Sequence, residues 1–186
     1  PDSIYFAVFD LSNGYHQMKM AKSSRPLTTF IVPQGRFMLK RAPMGLSSTG
    51  DEFLLAMDAI FGHLPWLLRL IDDLLIQANS RQQALQRMKI VLRLCEKNNV
   101  TLKGSKIQIG SRVSFGGFQM NADKDGLTVT TDPKKVAAIR DFEAPTNATE
   151  LKSFLGLAGT MSQWNPDYAH YKVGMAKLCR KDTPWD

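Results

Sequence analysis

The sequence predicts an α+β fold, a body of antiparallel strands backed by helices and followed by a mainly helical C-terminal unit. Three observations predict it. Apolar runs of strand length, such as Ile4–Phe9 and Leu74–Gln77, recur through the first two thirds and are interleaved with two longer stripes at helical spacing. From Asp132-Pro133 onward only helical patterns remain. The 186 residues are 44% hydrophobic, enough for one sizeable core and a small satellite unit. The body is assigned to residues 1–120 and the following segment to 121–186, with the last strand pattern fading near residue 130.

Taken in order, Ile4–Phe9 is an apolar, aromatic-rich run that ends at Asp10 and reads as a buried strand. Gln17–Met20 and Thr28–Val32 are also strand-like, and the turn Pro33-Gln34-Gly35 makes Thr28–Val32 and Arg36–Arg41 a hairpin, near 28–41. Ser48 followed by Asp51 resembles a capping box, opening a helix with the stripe Phe53, Leu54, Met57, Ile60 and Phe61 and a stop at Gly62. Trp66–Ile71 and Leu74–Gln77 are strands separated by Asp72-Asp73. Ser80 with Gln83 caps the next helix, whose stripe is Leu85, Met88, Leu92 and Cys95 and whose end is Asn98-Asn99. Arg112–Met120 and Leu127–Thr130 read as strands around the polar turn Asp123–Gly126. Asp132-Pro133 starts a helix with proline at its first position, Pro145–Asn147 breaks it, and Glu150–Gln163 forms another that ends at Asn165-Pro166, before a last helix.

Composition narrows the function classes. No apolar run approaches the ~18–20 residues of a membrane span, so no membrane partner is expected. Cys95 and Cys179 sit on helical patterns, and His16, His63 and His170 are scattered, which argues for two reduced core thiols in an intracellular protein rather than a disulfide framework or a zinc site. The opening Pro1-Asp2-Ser3 runs straight into a strand and reads as a cut end. Net charge is +7: residues 1–80 hold seven basic and seven acidic side chains, residues 81–186 seventeen and ten. Lys97, Lys103, Lys106 and Arg112 have no acid between them. Such a flank suits a polyanion, although an ordinary solvated face would look the same.

Asp72 and Asp73 lie in the middle of an otherwise apolar run. Adjacent carboxylates repel and resist desolvation, so they need an exposed turn or a bound cation. A bare Asp-Asp is often only a hairpin tip. Asp10, which also ends an apolar strand, gives a third acid on what reads as one sheet. Oxygen ligands of this kind hold magnesium beside substrate phosphates, and paired ions of this kind serve phosphoryl displacement.

The strings carry more than that argument. FDLSNGYHQMKM resembles the first catalytic block of gypsy-type LTR-retrotransposon and retroviral reverse transcriptases, and TTFIVPQGRFMLKRAPMGLSSTGDEF the block where a template- and nucleotide-contacting turn leads into a helix. LIDDLLI stands where the family has its Tyr-x-Asp-Asp hairpin. TLKGSKIQI resembles the segment with a lysine near the active site, VSFGGFQM the primer-grip hairpin, and ELKSFLGL a helix just after the thumb. The order and spacing agree from Tyr5 to Trp185.

The resemblance implies a palm over residues 1–120, with part of the fingers in the 28–41 hairpin. Residues 121–186 would be a thumb- or connection-like segment leading toward an RNase H domain. It implies an RNA-directed DNA polymerase acting on an RNA or DNA template with primer and deoxynucleoside triphosphates, within a Pol polyprotein that supplies fingers, RNase H and integrase. Magnesium, or manganese in its place, is the implied cofactor, held by Asp10, Asp72 and Asp73, with Asp73 nearer the primer end. Lys106 matches the lysine that protonates pyrophosphate, Tyr15 the sugar gate, Met44 and Gly45 the positions beside the nucleotide, and Phe115, Gly117 and Phe118 the primer grip. A cytoplasmic particle and the nucleus are both open as locations. There are departures: Leu70 stands in place of tyrosine, Met44 of phenylalanine, Gly50 of proline and Lys103 of asparagine. With the upstream basic fingers residues also outside the chain, these 186 residues alone are expected to polymerise poorly. The competing readings are a degenerate palm that binds nucleic acid without catalysis and, less well supported by the strand residues, an RNA-binding module of another lineage.

Overall fold

Phe6, Ala7, Val8 and Phe9 are all buried, so the first strand is covered on both faces and becomes the middle of a sheet. The computed structural model describes residues 4–180 and 183–185; the reading of Pro1-Asp2-Ser3 lies outside them. Two compact units divide between Val129 and Thr130. The first contains β1 (Tyr5–Asp10), the single turn α1 (Gly14–Gln17), β2 (Phe30–Val32), β3 (Gly35–Phe37), α2 (Ser47–Phe61), β4 (Leu67–Leu70), β5 (Asp73–Ala78), α3 (Arg81–Lys97), β6 (Gln108–Gly110), β7 (Arg112–Phe115), β8 (Phe118–Asp123) and most of β9 (Gly126–Thr131). The second contains α4 (Pro133–Arg140), α5 (Ala148–Gly159) and α6 (Tyr168–Leu178). The observed class is the expected α+β one.

The main sheet runs β4-β5-β1-β6, with β1 antiparallel to both β5 and β6. Alternation across β1 and β5 divides the core. Ala7, Phe9, Leu74 and Ile76 face α2 and α3, meeting Phe53, Met57, Phe61, Val91 and Cys95. Phe6, Val8 and Leu75 face the opposite way, onto Val113 and Ala122 of the β7-β8-β9 sheet. Helices therefore cover one face of the main sheet and a small sheet covers the other. Burial of each large side chain contributes about 1.5–3 kcal/mol. It also pushes the Cys95 thiol up to about 11.

Several elements differ from expectation. Gln17–Met20 is not a strand: Asn13 is left-handed (φ 50°) and starts the α1 turn, leaving only a single bridge between Lys19 and Arg41. The 28–41 hairpin is shorter, β2 and β3, because Lys22–Thr28 coils as a 3-10 helix. Ser48 does not cap α2; the helix begins at Ser47, after Leu46, with no side-chain cap. The buried stripe of α3 is Ala84, Val91 and Cys95, with Met88 half-buried beside them, while Leu85 and Leu92 are exposed, a rotation of about one residue toward the smaller side chains. Its Ser80 cap is present, with the Gln83 N–H donating to Ser80 Oγ at 3.1 Å. Arg112–Met120 is two strands, folded at Gly116 and Gly117, whose φ values of 58° and 84° suit a tight hairpin turn.

In the second unit Asp132 Oδ1 accepts from the Lys134 N–H and Pro133 opens α4. Asn147 caps α5, which begins two residues before the expected Glu150 and ends at Gly159, with Ser162–Trp164 a separate 3-10 turn. Leu151 and Leu155 are its buried side chains, and the Tyr168 hydroxyl donates to Leu155 O at 2.8 Å. Among the described residues no helix is long and apolar enough to cross a membrane.

Candidate active site

Asp10 is the last residue of β1 and Asp73 the first of β5, and the two are direct cross-strand partners. Leu70 pairs with Asp73 from β4, so the hairpin loop is just Ile71 and Asp72. Ile71 has φ 54°, a region that a β-branched residue enters at a cost of about 1–3 kcal/mol. The loop is held by the Leu11 N–H, which donates to Asp72 O at 2.9 Å.

A third segment is laced onto the same end of the sheet. Ser12 donates its N–H to Thr101 O at 2.9 Å, Leu11 bridges Leu102, and the Lys103 N–H donates to Asp10 O at 2.8 Å. The 3-10 turn Gly104–Lys106 then returns Lys106 toward β1, where Nζ lies 2.6 Å from Asp10 Oδ2. The Asp10 side chain is 15% exposed and that of Lys106 53%. The bond to Asp10, followed by the Asp10 charge, raises the Lys106 pKa above its ordinary value. Burial, then the charges of Asp72 and Asp10, raise that of Asp73, against a lowering by Lys106. The three carboxylates thus sense one another and share one ammonium.

Beside them is a hollow of about 560 Å³ lined by Asp10, Asp72, Lys106 and Tyr15 and also by Met44 and Lys103. Asp73 is not part of that lining. Tyr15 stands edge-on to Phe53, ring centres 5.1 Å apart, while a Cβ on Gly14 would lie 2.9 Å from the same phenyl ring. Gly14 therefore lets α1 sit against α2. Met44 is 68% exposed at the rim. Gly45 has φ 92° and does not line the hollow. Phe115 and Phe118 pair across the Gly116-Gly117 turn, outside the hollow. That turn touches the Asp-Asp hairpin: a Cβ on Gly116 would lie 2.7 Å from Leu70 Cδ2.

Sequence reasoning passed over Leu11, Ser12, Asn13 and Ile71 as lining residues, and over the Gly116–Leu70 contact. The Asn13-Gly14 dipeptide is a turn signal that could have found the first group.

Among the described residues no three His, Cys, Asp or Glu side chains are gathered into a ready metal site. The donor chemistry nonetheless fits a hard divalent cation: three carboxylates gather at one sheet end, burial and the neighbouring acids raise the pKa of Asp73, and a lysine ammonium is the cation at Asp10.

Comparison with known proteins is consistent along the chain. The family model for "Reverse transcriptase (RNA-dependent DNA polymerase)" matches residues 1–159. The retrovirus-related Pol polyprotein from transposon opus of Drosophila melanogaster is 30% identical over 181 residues, 95% of this chain and 17% of the relative. That from transposon gypsy, also of Drosophila melanogaster, is 29% identical over 170 residues, 89% and 16% respectively. The chain thus spans less than a fifth of the length of these relatives. Among solved structures, the foamy viral protease-reverse transcriptase in complex with RNA/DNA hybrid has a TM-score of 0.83 at 18% identity, covering 97% of this chain and 24% of that one. The same viral protein in complex with double-stranded DNA, in a dRH form, gives 0.82 at 20% identity, covering 94% and 30%.

Proposed function

The chain belongs to the reverse transcriptase (RNA-dependent DNA polymerase) family, and from that premise we propose that its carboxylate hollow joins deoxynucleoside triphosphates to a primer 3′-hydroxyl on an RNA or DNA template. The observation that carries this reading is the direct pairing of Asp10 with Asp73, with Asp72 in the adjoining two-residue loop. The family generally uses divalent metals. Asp10 and Asp72, which both line the hollow, would hold magnesium, or manganese in its place, with Asp73 nearer the primer end. A bound ion of this kind activates the attacking oxygen and neutralises charge on the leaving one.

In the transfer, the primer 3′-hydroxyl gives up its proton to solvent as O3′ bonds to the α-phosphorus, and the bond from that phosphorus to the oxygen bridging to the β-phosphate breaks, releasing pyrophosphate. Lys106, kept charged by the bond that Asp10 accepts, faces the hollow and gives a proton to the departing oxygen as negative charge builds there. The Tyr15 ring, braced on Phe53, closes the space a ribose 2′-hydroxyl would need. Met44 and Gly45 flank the nucleotide, and the Phe115, Gly117 and Phe118 hairpin, which touches the catalytic hairpin through Gly116 and Leu70, steadies the primer end. Residues 1–120 act as palm, the 28–41 hairpin as part of the fingers, and 121–186 as thumb or connection within a longer Pol polyprotein.

Asp72→Asn in the longer polyprotein enzyme tests the assignment. Primer extension in magnesium should fall at least 1000-fold, while affinity for primer–template changes less than threefold, since duplex affinity comes from phosphate contacts elsewhere. Extension at near the wild-type rate would refute the catalytic role. Binding without extension in the wild type as well would favour a palm that has lost catalysis.

A further inference from the structure

A second hollow, of about 700 Å³, shares no lining residue with the first. Three of its residues are basic (His16, Lys19, Arg41) and four carry amides or a hydroxyl (Gln17, Asn98, Asn99, Thr101). No carboxylate and no hydrophobic side chain lines it. Lys19 and Arg41 are direct partners in an isolated antiparallel bridge, and like charges so opposed repel. Among the described residues neither forms an ion pair.

The frame beneath these cations is well anchored. Gln17 Nε2 donates to Ser12 O at 2.7 Å and Thr101 O at 2.9 Å, and Gln17 Oε1 accepts from the Thr101 N–H at 2.7 Å. Arg41 Nη1 donates to Gln17 O at 2.6 Å, and His16 Nδ1 lies 2.9 Å from Ala42 O. The positive charges are therefore presented on fixed backbone, with repulsion between them that an anion would relieve.

We propose that this hollow binds the phosphodiester backbone of a nucleic-acid strand, at a place separate from the carboxylate site. Phosphate oxygens accept from Lys19, Arg41, the Asn98 and Asn99 amides and the Thr101 hydroxyl. A protein partner is disfavoured because the lining has no hydrophobic side chain to anchor one. A strand is favoured over a free phosphate because the hollow, of about 700 Å³, offers two cations and the donors of Asn98, Asn99 and Thr101, more than a single phosphate group engages.

The test uses the 186-residue chain with a labelled single-stranded RNA, without divalent metal or nucleotide, so it does not depend on whether Asp10 and Asp72 catalyse. Affinity is followed against salt for the wild type, for Lys19→Gln with Arg41→Gln, and for the charge-retaining exchange Lys19→Arg with Arg41→Lys. Thermal melting checks that each is folded, and Lys89→Gln on α3 is the control. The double glutamine variant should flatten the log–log salt slope by about 1.4, roughly 0.7 for each lost contact on a single strand, and the charge-retaining exchange should restore it. An unchanged slope in a folded double variant would overturn the proposal. So would pyrophosphate or a polyglutamate peptide binding in a Lys19- and Arg41-dependent way while RNA affinity stays the same.

Discussion

Lys106 and Asp10 are 96 positions apart in the chain, yet their side chains meet at 2.6 Å. Burial and the charges of Asp72 and Asp10 act on Asp73, and Lys106 offsets them in part. Asp73 holds its proton more tightly in the folded state than in the unfolded one, so the ionised form opposes folding. Its contribution to stability therefore falls as pH rises from the ordinary aspartate value through the raised one. Asp73→Asn should melt higher than the wild type at neutral pH, with the difference shrinking as the pH is lowered and when magnesium is added. Equal melting across the range would show that Asp73 feels no neighbouring charge. Tyr15→Ala removes an edge-on ring contact of about 0.5–1.5 kcal/mol and opens the hollow. In the polyprotein enzyme, discrimination against ribonucleotides should weaken on the order of 10- to 100-fold, as expected when a clash of a few kcal/mol is removed. Unchanged sugar selectivity would leave Tyr15 with a packing role only.

At the scale of elements, two hairpins lean on each other through Gly116 and Leu70. Gly116→Ala meets both a left-handed backbone, about 1–2 kcal/mol, and the Leu70 methyl. Leu70→Ala should relieve only the second, so a double-mutant cycle on thermal stability should give a coupling of about 0.5–1.5 kcal/mol. Strict additivity would mean the hairpins do not support each other. The strands were readable because their apolar runs are short and end at carboxylates or glycines. The α3 stripe was misread because Leu85 and Leu92 outweigh Ala84 and Val91 in hydrophobicity, although the smaller pair is what fits against the sheet. Gln17–Met20 was misread because its polar Gln17 serves backbone groups 84 residues away, which no local pattern records.

For the whole molecule, acidification to below the ordinary glutamate range should act on the two units in opposite directions. In the second unit Glu150 Oε2 accepts from the N–H and hydroxyl of Thr146 at 2.8 Å each, and the backbone bond is the larger cause of its lowered pKa. That stabilisation is complete above the ordinary glutamate value and is lost as pH falls through the lowered one. The protection factors of amides in the first turn of α5 should therefore fall on acidification in the wild type and not in Glu150→Gln, while those at the Asp73 end of β5 rise. The expected boundary at residue 120 falls within β8, and the compact units divide nine residues later, because β8 pairs with both β7 and β9. The positions of the carboxylates were legible, since each borders an apolar run, Asp10 at the end of β1 and Asp72-Asp73 between β4 and β5. Apart from the Lys106 ammonium at Asp10, the groups that hold them are peptide atoms, which no sequence pattern records.

Leu11 N–H to Asp72 O, Ser12 N–H to Thr101 O and Lys103 N–H to Asp10 O join three distant stretches without using a single side chain. Any non-proline residue can make such bonds at the donor positions. A lineage can exchange most side chains around this seam and keep its acids in register, so drift there is cheap for the site. Proline at 11, 12 or 103 is the change such a lineage should avoid.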